Sequence, residues 1–119
     1  MKLDGLLRRV TSLIVKACDP EKVVLFGSYA KQQQDVDSDL DILVVGNFQG
    51  LPFLLGQELR QSFHGYPIRI DLYVARPQDV EAESTKPFGF LCSVLSSGVL
   101  LYKRNGAPRQ ALDGRLGAR

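Results

Sequence analysis

The feature that most constrains the fold is a short run near the middle of the chain that is apolar on both faces. LDILVVG (40–46) places hydrophobic side chains at consecutive positions after Asp41, so both sides of a strand formed here must be covered. Strands of this kind lie inside a sheet that has helices packed on it. VVLFG (23–27) is a β-branched and aromatic run, and it predicts a second buried strand that ends at a glycine.

The rest of the chain supplies helices and further strands around these two runs. Apolar residues recur at helical spacing over 3–18, and again over 51–63. The alternation in IRIDLYVA (68–75) predicts a strand with one apolar face. The other predicted elements are a short helix or turn (28–34), a turn (64–67), helical pieces (77–84 and 87–97) and a final short strand (99–103). We therefore expect one α/β or α+β domain, a mixed central sheet of about four strands with helices packed on it.

The charge distribution separates the predicted domain from a tail. The chain has 119 residues, which suits one domain, and a net charge of +2. Residues 104–119 contain four arginines and one aspartate, so the basic charge belongs to this tail and not to the domain 1–103. The tail is rich in Gly, Ala and Arg without periodicity, and is expected to be disordered. The composition of the domain therefore gives no case for nucleic-acid binding.

Cysteine usage and hydropathy indicate a cytoplasmic protein. Cys18 and Cys92 lie among apolar residues without the paired spacing of a zinc site, so we expect two reduced and mostly buried thiols. The N-terminus carries charges within its apolar pattern, unlike a signal peptide. No apolar run approaches about 18 residues, so no membrane span is expected.

Two acidic residues stand at the entrance of the strand predicted over 40–46. Asp39 and Asp41 are two positions apart, and side chains so spaced point the same way in a strand. Neighbouring carboxylates repel each other unless a cation lies between them. Mg²⁺ takes one or two carboxylates and completes its shell with phosphate oxygens and water. The pair therefore indicates a magnesium site shared with phosphate oxygens, although an Asp-x-Asp pair by itself is also compatible with a solvated acidic turn.

Three further residues complete this prediction. Gly27 allows close approach of the backbone, and Ser28 adds a hydroxyl and an N–H group for phosphate oxygens. Asp71 lies on the polar side of the strand 68–75, and its carboxylate faces the acidic pair if that strand pairs beside 40–46. Three carboxylates around one or two Mg²⁺ ions suit in-line phosphoryl or nucleotidyl transfer. Asp71 is then a ligand of the second ion or the base that deprotonates the attacking hydroxyl.

Other polar and aromatic residues are weaker candidates. Asp35 and Asp37 are expected to be solvated loop acids, and His64 a surface residue of a turn. Tyr29 is compatible with stacking on a base or with packing at the sheet edge. The glycine-rich fingerprints of the Rossmann and P-loop nucleotide sites do not occur in the sequence.

The segment GSYAKQQQDVDSDLDILVV resembles the signature of the DNA polymerase beta-like nucleotidyltransferase superfamily, which is Gly-Ser, ten residues, then Asp-x-Asp. It is most similar to the minimal nucleotidyltransferases encoded beside HEPN-domain proteins. The positions that match are Gly27, Ser28, Ala30, Ser38, Asp39 and Asp41 in the signature, Asp71 in the third-carboxylate strand, and Gly98 and Tyr102 in the closing segment. The likeness covers residues 3–103. Lys31 stands where the family usually has arginine, and Gln32 where it usually has glycine.

The resemblance implies a specific activity. A nucleoside monophosphate is transferred to a hydroxyl acceptor. The transferred group is AMP from ATP, or the equivalent group from another nucleoside triphosphate. The implied acceptor is a tyrosine of a HEPN toxin partner, which makes this chain the antitoxin. Asp39, Asp41 and Asp71 are the implied catalytic and metal-binding residues for one or two Mg²⁺ ions, and Lys31 joins Gly27 and Ser28 in binding the nucleotide.

Two other functions remain open at this stage. The domain is also compatible with a non-catalytic module that binds a nucleotide or masks a partner protein. It is likewise compatible with a subunit of a transferase that acts on a small molecule or RNA. Nucleotide preference and homo-oligomerisation are not determined by the sequence.

Overall fold

A four-stranded mixed sheet forms the centre of the computed structural model, which describes residues 3–35, 37–50, 52–84 and 89–104. The strands are β1 (Lys22–Phe26), β2 (Leu40–Val45), β3 (Ile70–Ala75) and β4 (Val99–Lys103), in the spatial order β3-β2-β1-β4. β1 runs antiparallel to β2 and to β4, whereas β2 and β3 are parallel. The predicted mixed sheet of four strands is confirmed.

Helices cover both faces of this sheet. They are α1 (Leu3–Cys18), α2 (Gly27–Ala30), α3 (Pro52–Gln61), α4 (Pro77–Ser84) and α5 (Phe90–Ser97). Helix α1 ends before Asp19, which takes a left-handed φ of 46° ahead of Pro20. Within the described ranges, no helix is both long enough and apolar enough to cross a membrane.

The hydrophobic core has two parts, one on each face of the sheet. The larger part lies under α1 and α3 and contains Leu6, Val10, Ile14, Val23, Leu25, Leu40, Ile42, Val44, Leu59, Phe63, Ile70 and Leu72. The smaller part lies under α4 and α5 and contains Val24, Phe26, Leu43, Val45, Ala75, Val80, Leu91 and Val94. Consecutive residues of β2 thus enter opposite parts of the core, which explains why the sequence of this strand is apolar on both faces.

The ends of several elements differ from the sequence-based expectation. β1 ends at Phe26, because Gly27 leaves the strand with a φ of 75° and begins α2. β3 begins at Ile70, two residues later than predicted. The helix predicted over 87–97 begins at Phe90, and residues 85–88 lie outside the described ranges.

The beginning of the predicted tail belongs to the folded domain. The Arg104 N–H donates a hydrogen bond of 2.8 Å to the Glu21 carbonyl oxygen. The Arg104 guanidinium lies 3.3 Å from an Asp19 carboxylate oxygen and 3.7 Å from one of Glu21. These contacts attach Arg104 to the start of β1. The rest of the tail, 105–119, lies outside the residues that the structure describes.

Cys18 is a half-buried free thiol at the end of α1. Its Sγ donates a hydrogen bond of 3.3 Å to the Ile14 carbonyl oxygen. Burial, together with the charge of Asp19, raises the pKa of the Cys18 thiol to about 11. The thiol is therefore protonated and a poor nucleophile at neutral pH, as expected for a structural cysteine. The side chain of Cys92 lies outside the described set.

Candidate active site

Asp41 and Asp71 are paired residues of two adjacent parallel strands. The β2–β3 register places Asp41 opposite Asp71, close to the first residue of each strand. Asp39 lies just ahead of β2, and the Leu40 N–H donates a hydrogen bond of 2.9 Å to the Arg69 carbonyl oxygen, which joins the two strand entrances. Side chains two residues apart share a face of the sheet, so Asp39 lies on the same side as Asp41. The pairing of strands on which the sequence-based prediction depended is present, and the three acids come together.

The electrostatic environment of these acids is dominated by negative charge. Burial raises the pKa of the Asp41 carboxyl, and the charges of Asp71 and Asp39 raise it further. The pKa of Asp71 is also raised, first by burial and then by a side-chain hydrogen bond with Asp39 and by that residue's charge. The raised pKa values of both residues reflect the cost of holding several carboxylates together away from water. A metal cation bound between them would remove this repulsion.

Arg69 is the basic residue nearest to these carboxylates among the ion pairs that the structure describes. Its Nε lies 3.9 Å from a carboxylate oxygen of Asp39 and 3.7 Å from one of Asp71. The side chain is 77% exposed, so solvent screens both pairs. Sequence reasoning did not select Arg69, although it stands two positions before Asp71 on the same polar side of the strand.

A second arginine approaches the site from α3. The guanidinium of Arg60 donates a hydrogen bond of 3.0 Å to the Leu72 carbonyl oxygen. Together with Arg69, it acts to lower the pKa of Asp71, although burial and Asp39 outweigh both arginines. Arg60 was not selected either, because its place in an amphipathic helix does not distinguish it from a solvated surface residue.

Gly27 is packed directly against the acidic cluster. Its φ of 75° is in the left-handed region that favours glycine. A Cβ atom at this position would overlap a carboxylate oxygen of Asp41 and would lie 3.3 Å from its Cγ. Phe26, the preceding residue, is also paired with Asp41 in the β1–β2 register. The lack of a side chain at Gly27 therefore leaves room for the Asp41 carboxylate.

The loop after Gly27 closes through main-chain hydrogen bonds. The Gln33 N–H donates to the Ser28 carbonyl oxygen at 2.8 Å, and the Lys31 N–H donates to that of Gly27 at 3.2 Å. Gln32 has a left-handed φ of 57°. At this position the minimal nucleotidyltransferases usually have glycine. A non-glycine residue adopts this conformation at a cost of about 1–2 kcal/mol. The loop is thus closed despite the replacement, with some backbone strain at Gln32.

The remaining candidates lie away from the three acids. Lys31 is exposed, and none of the contacts among described residues joins its side chain to the carboxylates. Tyr29 packs against the core under α1 and α3, whereas the acids share the sheet face of Phe26, under α4 and α5. This placement favours packing over base stacking for Tyr29. His64 is exposed on its turn, as predicted.

The acids of the loop before β2 have a structural role. Asp35 and Asp37 are exposed, as expected for solvated residues. The Asp35 carboxylate accepts hydrogen bonds from the Asp37 N–H at 2.9 Å and from the Ser38 hydroxyl at 3.3 Å. These bonds shape the turn that leads the chain into Asp39.

A groove of 640 Å³ lies on the opposite face of the sheet from the acids. It runs between α1 and the edge strand β4, and Tyr29 and Gln32 stand at one side of it. None of the three aspartates lines this groove. The cavity is therefore separate from the carboxylate cluster, which lies on the other face at the beginning of β2 and β3.

The carboxylate cluster suits a magnesium ion that is shared with a polyphosphate. Within the described part of the chain, no group of three or more Asp, Glu, His or Cys side chains is arranged to hold a metal ion. Mg²⁺ needs only one or two protein carboxylates when phosphate oxygens and water supply the remaining ligands. Oxygen donors and an excess of negative charge fit such an ion, and Gly27 leaves room for the Asp41 carboxylate that would bind it.

Comparison with known proteins gives an independent assignment. The model of the family described as polymerase beta, nucleotidyltransferase matches residues 9–107. No curated protein matches the chain by sequence. A crystal structure of a toxin–antitoxin with AMP-PNP is 25% identical, with a TM-score of 0.60 over 83% of this chain and 74% of that one.

Two more solved structures share the fold. An Asp-to-Glu double mutant of the toxin–antitoxin MntA–HpeT is 22% identical, with a TM-score of 0.60 over 83% of this chain and 74% of that one. A candidate nucleotidyltransferase from Sulfolobus solfataricus is 20% identical, with a TM-score of 0.59 over 87% of this chain and 82% of that one. Because the family match spans most of the sequence and includes the carboxylate cluster, this chain belongs to the polymerase beta nucleotidyltransferase family.

Proposed function

We propose that this protein is a metal-dependent nucleotidyltransferase that moves AMP from ATP to a tyrosine of a HEPN-type toxin, and so acts as its antitoxin. The observation that carries the proposal is the cluster of Asp39, Asp41 and Asp71 beside Gly27. Family membership supports the reaction class. The similarity to a toxin–antitoxin with AMP-PNP supports both the adenine nucleotide and the partner.

Asp39 and Asp41 are the proposed ligands of a divalent cation, with Asp71 as ligand of a second. The cation would neutralise the charge of the triphosphate and of the pyrophosphate that leaves. Gly27 and Ser28 bind the phosphates through the backbone and the hydroxyl group, and Lys31 supplies a positive charge at the far side of the loop. Catalysis then depends mainly on positioning and charge neutralisation.

As the alternative to ligating a second cation, Asp71 is the proposed base for the acceptor. It lies opposite Asp41 in the β2–β3 register, so it borders the proposed cation site. As the acceptor oxygen bonds to the α-phosphorus, its proton passes to the Asp71 carboxylate. The bond from the α-phosphorus to the oxygen bridging to the β-phosphate breaks, and pyrophosphate carries away that electron pair. A reaction that consumes ATP also implies a cytoplasmic protein.

The reaction is tested with ATP labelled at the α-phosphate. We expect transfer of label to the partner by the wild type, and none by Asp39→Ala or Asp41→Ala. The matched control is Asp37→Ala, which removes an exposed acid from the adjoining loop. Transfer retained by either cluster variant contradicts the metal-binding assignment.

The acceptor is tested separately. The protein is purified from its native host with any partner attached, and the intact mass of that partner is measured before and after incubation with ATP and Mg²⁺. We expect the partner to gain the mass of one or more AMP groups on tyrosine. A partner whose mass never changes, while calorimetry shows that the chain binds ATP, indicates another acceptor such as RNA or a small molecule. No ATP binding at all indicates a non-catalytic module.

A further inference from the structure

Three aromatic residues from separate elements form a cluster beside the carboxylates. They are Phe26 at the end of β1, Tyr73 in β3 and Phe90 at the start of α5, and we call them the aromatic cluster. Ring centroids are 5.3 Å apart for Phe26 and Tyr73, 5.5 Å for Phe26 and Phe90, and 5.4 Å for Tyr73 and Phe90. Each ring therefore contacts both others.

Two rings of the aromatic cluster remain open to solvent. Phe26 is almost fully buried, whereas Tyr73 is 42% exposed and Phe90 is 47% exposed. The planes of Tyr73 and Phe90 are inclined by 45°, so neither ring covers the whole face of the other. Adjacent exposed aromatic rings on a small domain commonly mark a surface that binds a ligand or partner.

The aromatic cluster is continuous with the proposed catalytic site. Phe26 is paired with Asp41 in the β1–β2 register and directly precedes Gly27. Tyr73 follows Asp71 by two residues, so both side chains lie on one face of β3.

We propose that the aromatic cluster is the binding surface for the base of the nucleoside triphosphate, with Tyr73 and Phe90 stacking on a purine. The inference rests on the proposed function, because it assumes that the triphosphate binds beside Gly27 and the carboxylates. In a nucleoside triphosphate the ribose links the base to the α-phosphate. The base must therefore lie within the length of one ribose of that phosphate. The aromatic cluster begins at Phe26, next to Gly27, and the exposed rings of Tyr73 and Phe90 lie 5.3 and 5.5 Å from the Phe26 ring.

Stacking of a base on an aromatic side chain accounts for the choice of residue types. Purines have large π-faces, and removal of a stacking ring costs about 1–3 kcal/mol per base. This corresponds to roughly a fivefold to hundredfold loss of affinity. Stacking does not read the edge of the base, so it predicts binding of ATP and GTP with similar affinity, and weaker binding of pyrimidine nucleotides.

The experiment compares two ligands that differ by the nucleoside. Affinities for ATP and for inorganic tripolyphosphate, each with Mg²⁺, are measured by calorimetry on the full chain. The variants are Phe90→Ala and Phe90→Leu, the second of which keeps apolar volume but has no ring. Phe53→Ala is the control, since Phe53 is 66% exposed on α3 and outside the aromatic cluster.

We expect both Phe90 variants to bind ATP roughly fivefold to a hundredfold more weakly and to bind tripolyphosphate as the wild type does. Phe53→Ala should change neither affinity. Unchanged ATP affinity, or equal losses for both ligands, overturns the inference. So does a wild type that binds tripolyphosphate as tightly as ATP. In each of these cases wild-type ATP binding still supports the proposed function, whereas a wild type that binds neither ligand refutes the proposed function itself.

Discussion

Asp41 and Asp71 lie opposite each other on adjacent parallel strands, an arrangement that places like charges side by side. Neighbouring strands are only about 4.8 Å apart, so the two carboxylates repel each other across the sheet. A protein gains no stability from this pairing. The arrangement is instead typical of a site whose residues are placed for a ligand at some expense of stability.

Asp41→Asn should abolish nucleotidyl transfer and still make the metal-free protein more stable. Removal of one of two opposed charges is expected to raise the free energy of unfolding by about 0.2–1 kcal/mol. For a domain of this size, that is a rise in Tm of roughly 1–6 °C. Thermal unfolding in the presence of a chelator provides the measurement. The control is Asp37→Asn, and a lower Tm for Asp41→Asn would contradict the argument.

The stabilising effect of Asp41→Asn should depend on pH. A carboxyl with a raised pKa binds more protons in the folded state than in the unfolded state, so its contribution to stability falls as pH rises through the interval above 3.8. Below 3.8 this unfavourable contribution disappears. The difference in unfolding free energy between Asp41→Asn and wild type should therefore grow from acid to neutral pH. Denaturant titrations across that range test this, and a difference that is constant with pH would argue against it.

Gly27→Ala should destabilise the fold and also remove nucleotide binding. A left-handed φ costs a residue with a Cβ about 1–2 kcal/mol, and the new methyl group would in addition displace the Asp41 carboxylate. Gly65→Ala is a matched control, because Gly65 has a φ of 88° but a Cβ added there would meet no atom within 4 Å. We expect both variants to lose stability in denaturant titrations. Only Gly27→Ala should lose ATP binding in calorimetry. Equal ATP affinities of the two variants would show that Gly27 is not part of the nucleotide site.

Arg69→Ala should increase the affinity for divalent cations. The Arg69 guanidinium lies within 4 Å of oxygens of Asp39 and Asp71, where it competes with a metal for the same negative charge. Since both ion pairs are exposed, the expected gain is at most about fivefold. Calorimetry with Mn²⁺ in the absence of nucleotide measures it directly. Arg9→Ala, on the exposed side of α1, controls for the loss of one positive charge, and weaker Mn²⁺ binding by Arg69→Ala would show that Arg69 does not compete.

Gln32→Gly should stabilise the loop that follows Gly27. Gln32 has a φ of 57°, and glycine adopts that conformation without steric cost. The gain is reduced by the greater freedom of glycine in the unfolded chain, so we expect up to about 1 kcal/mol in the free energy of unfolding. Gln33→Gly is the control, because Gln33 is not among the residues of positive φ. It should lower stability by about 0.4–1 kcal/mol in the same titration.

Local pattern was sufficient for most of the fold. Helical spacing predicted α1 with the correct ends, and the apolar run in β2 correctly indicated a sheet covered on both faces. The ends of β1 and β3 were missed by one or two residues, since strand boundaries depend on partners that lie far away in sequence. The short helix or turn predicted after Gly27 is present as α2, whereas the positive φ of Gly27 was not predicted.

The sequence by itself determined the acidic pair, because Asp39 and Asp41 are two positions apart and an extended chain projects such side chains to the same side. Only the tertiary structure decided that Asp71 joins them, through the parallel pairing of β2 with β3. It also brought Arg69 to the carboxylates and assembled Phe26, Tyr73 and Phe90 from three elements. The physical reason is that strand order and register are set by the packing of the whole core, and short-range spacing carries no information about them.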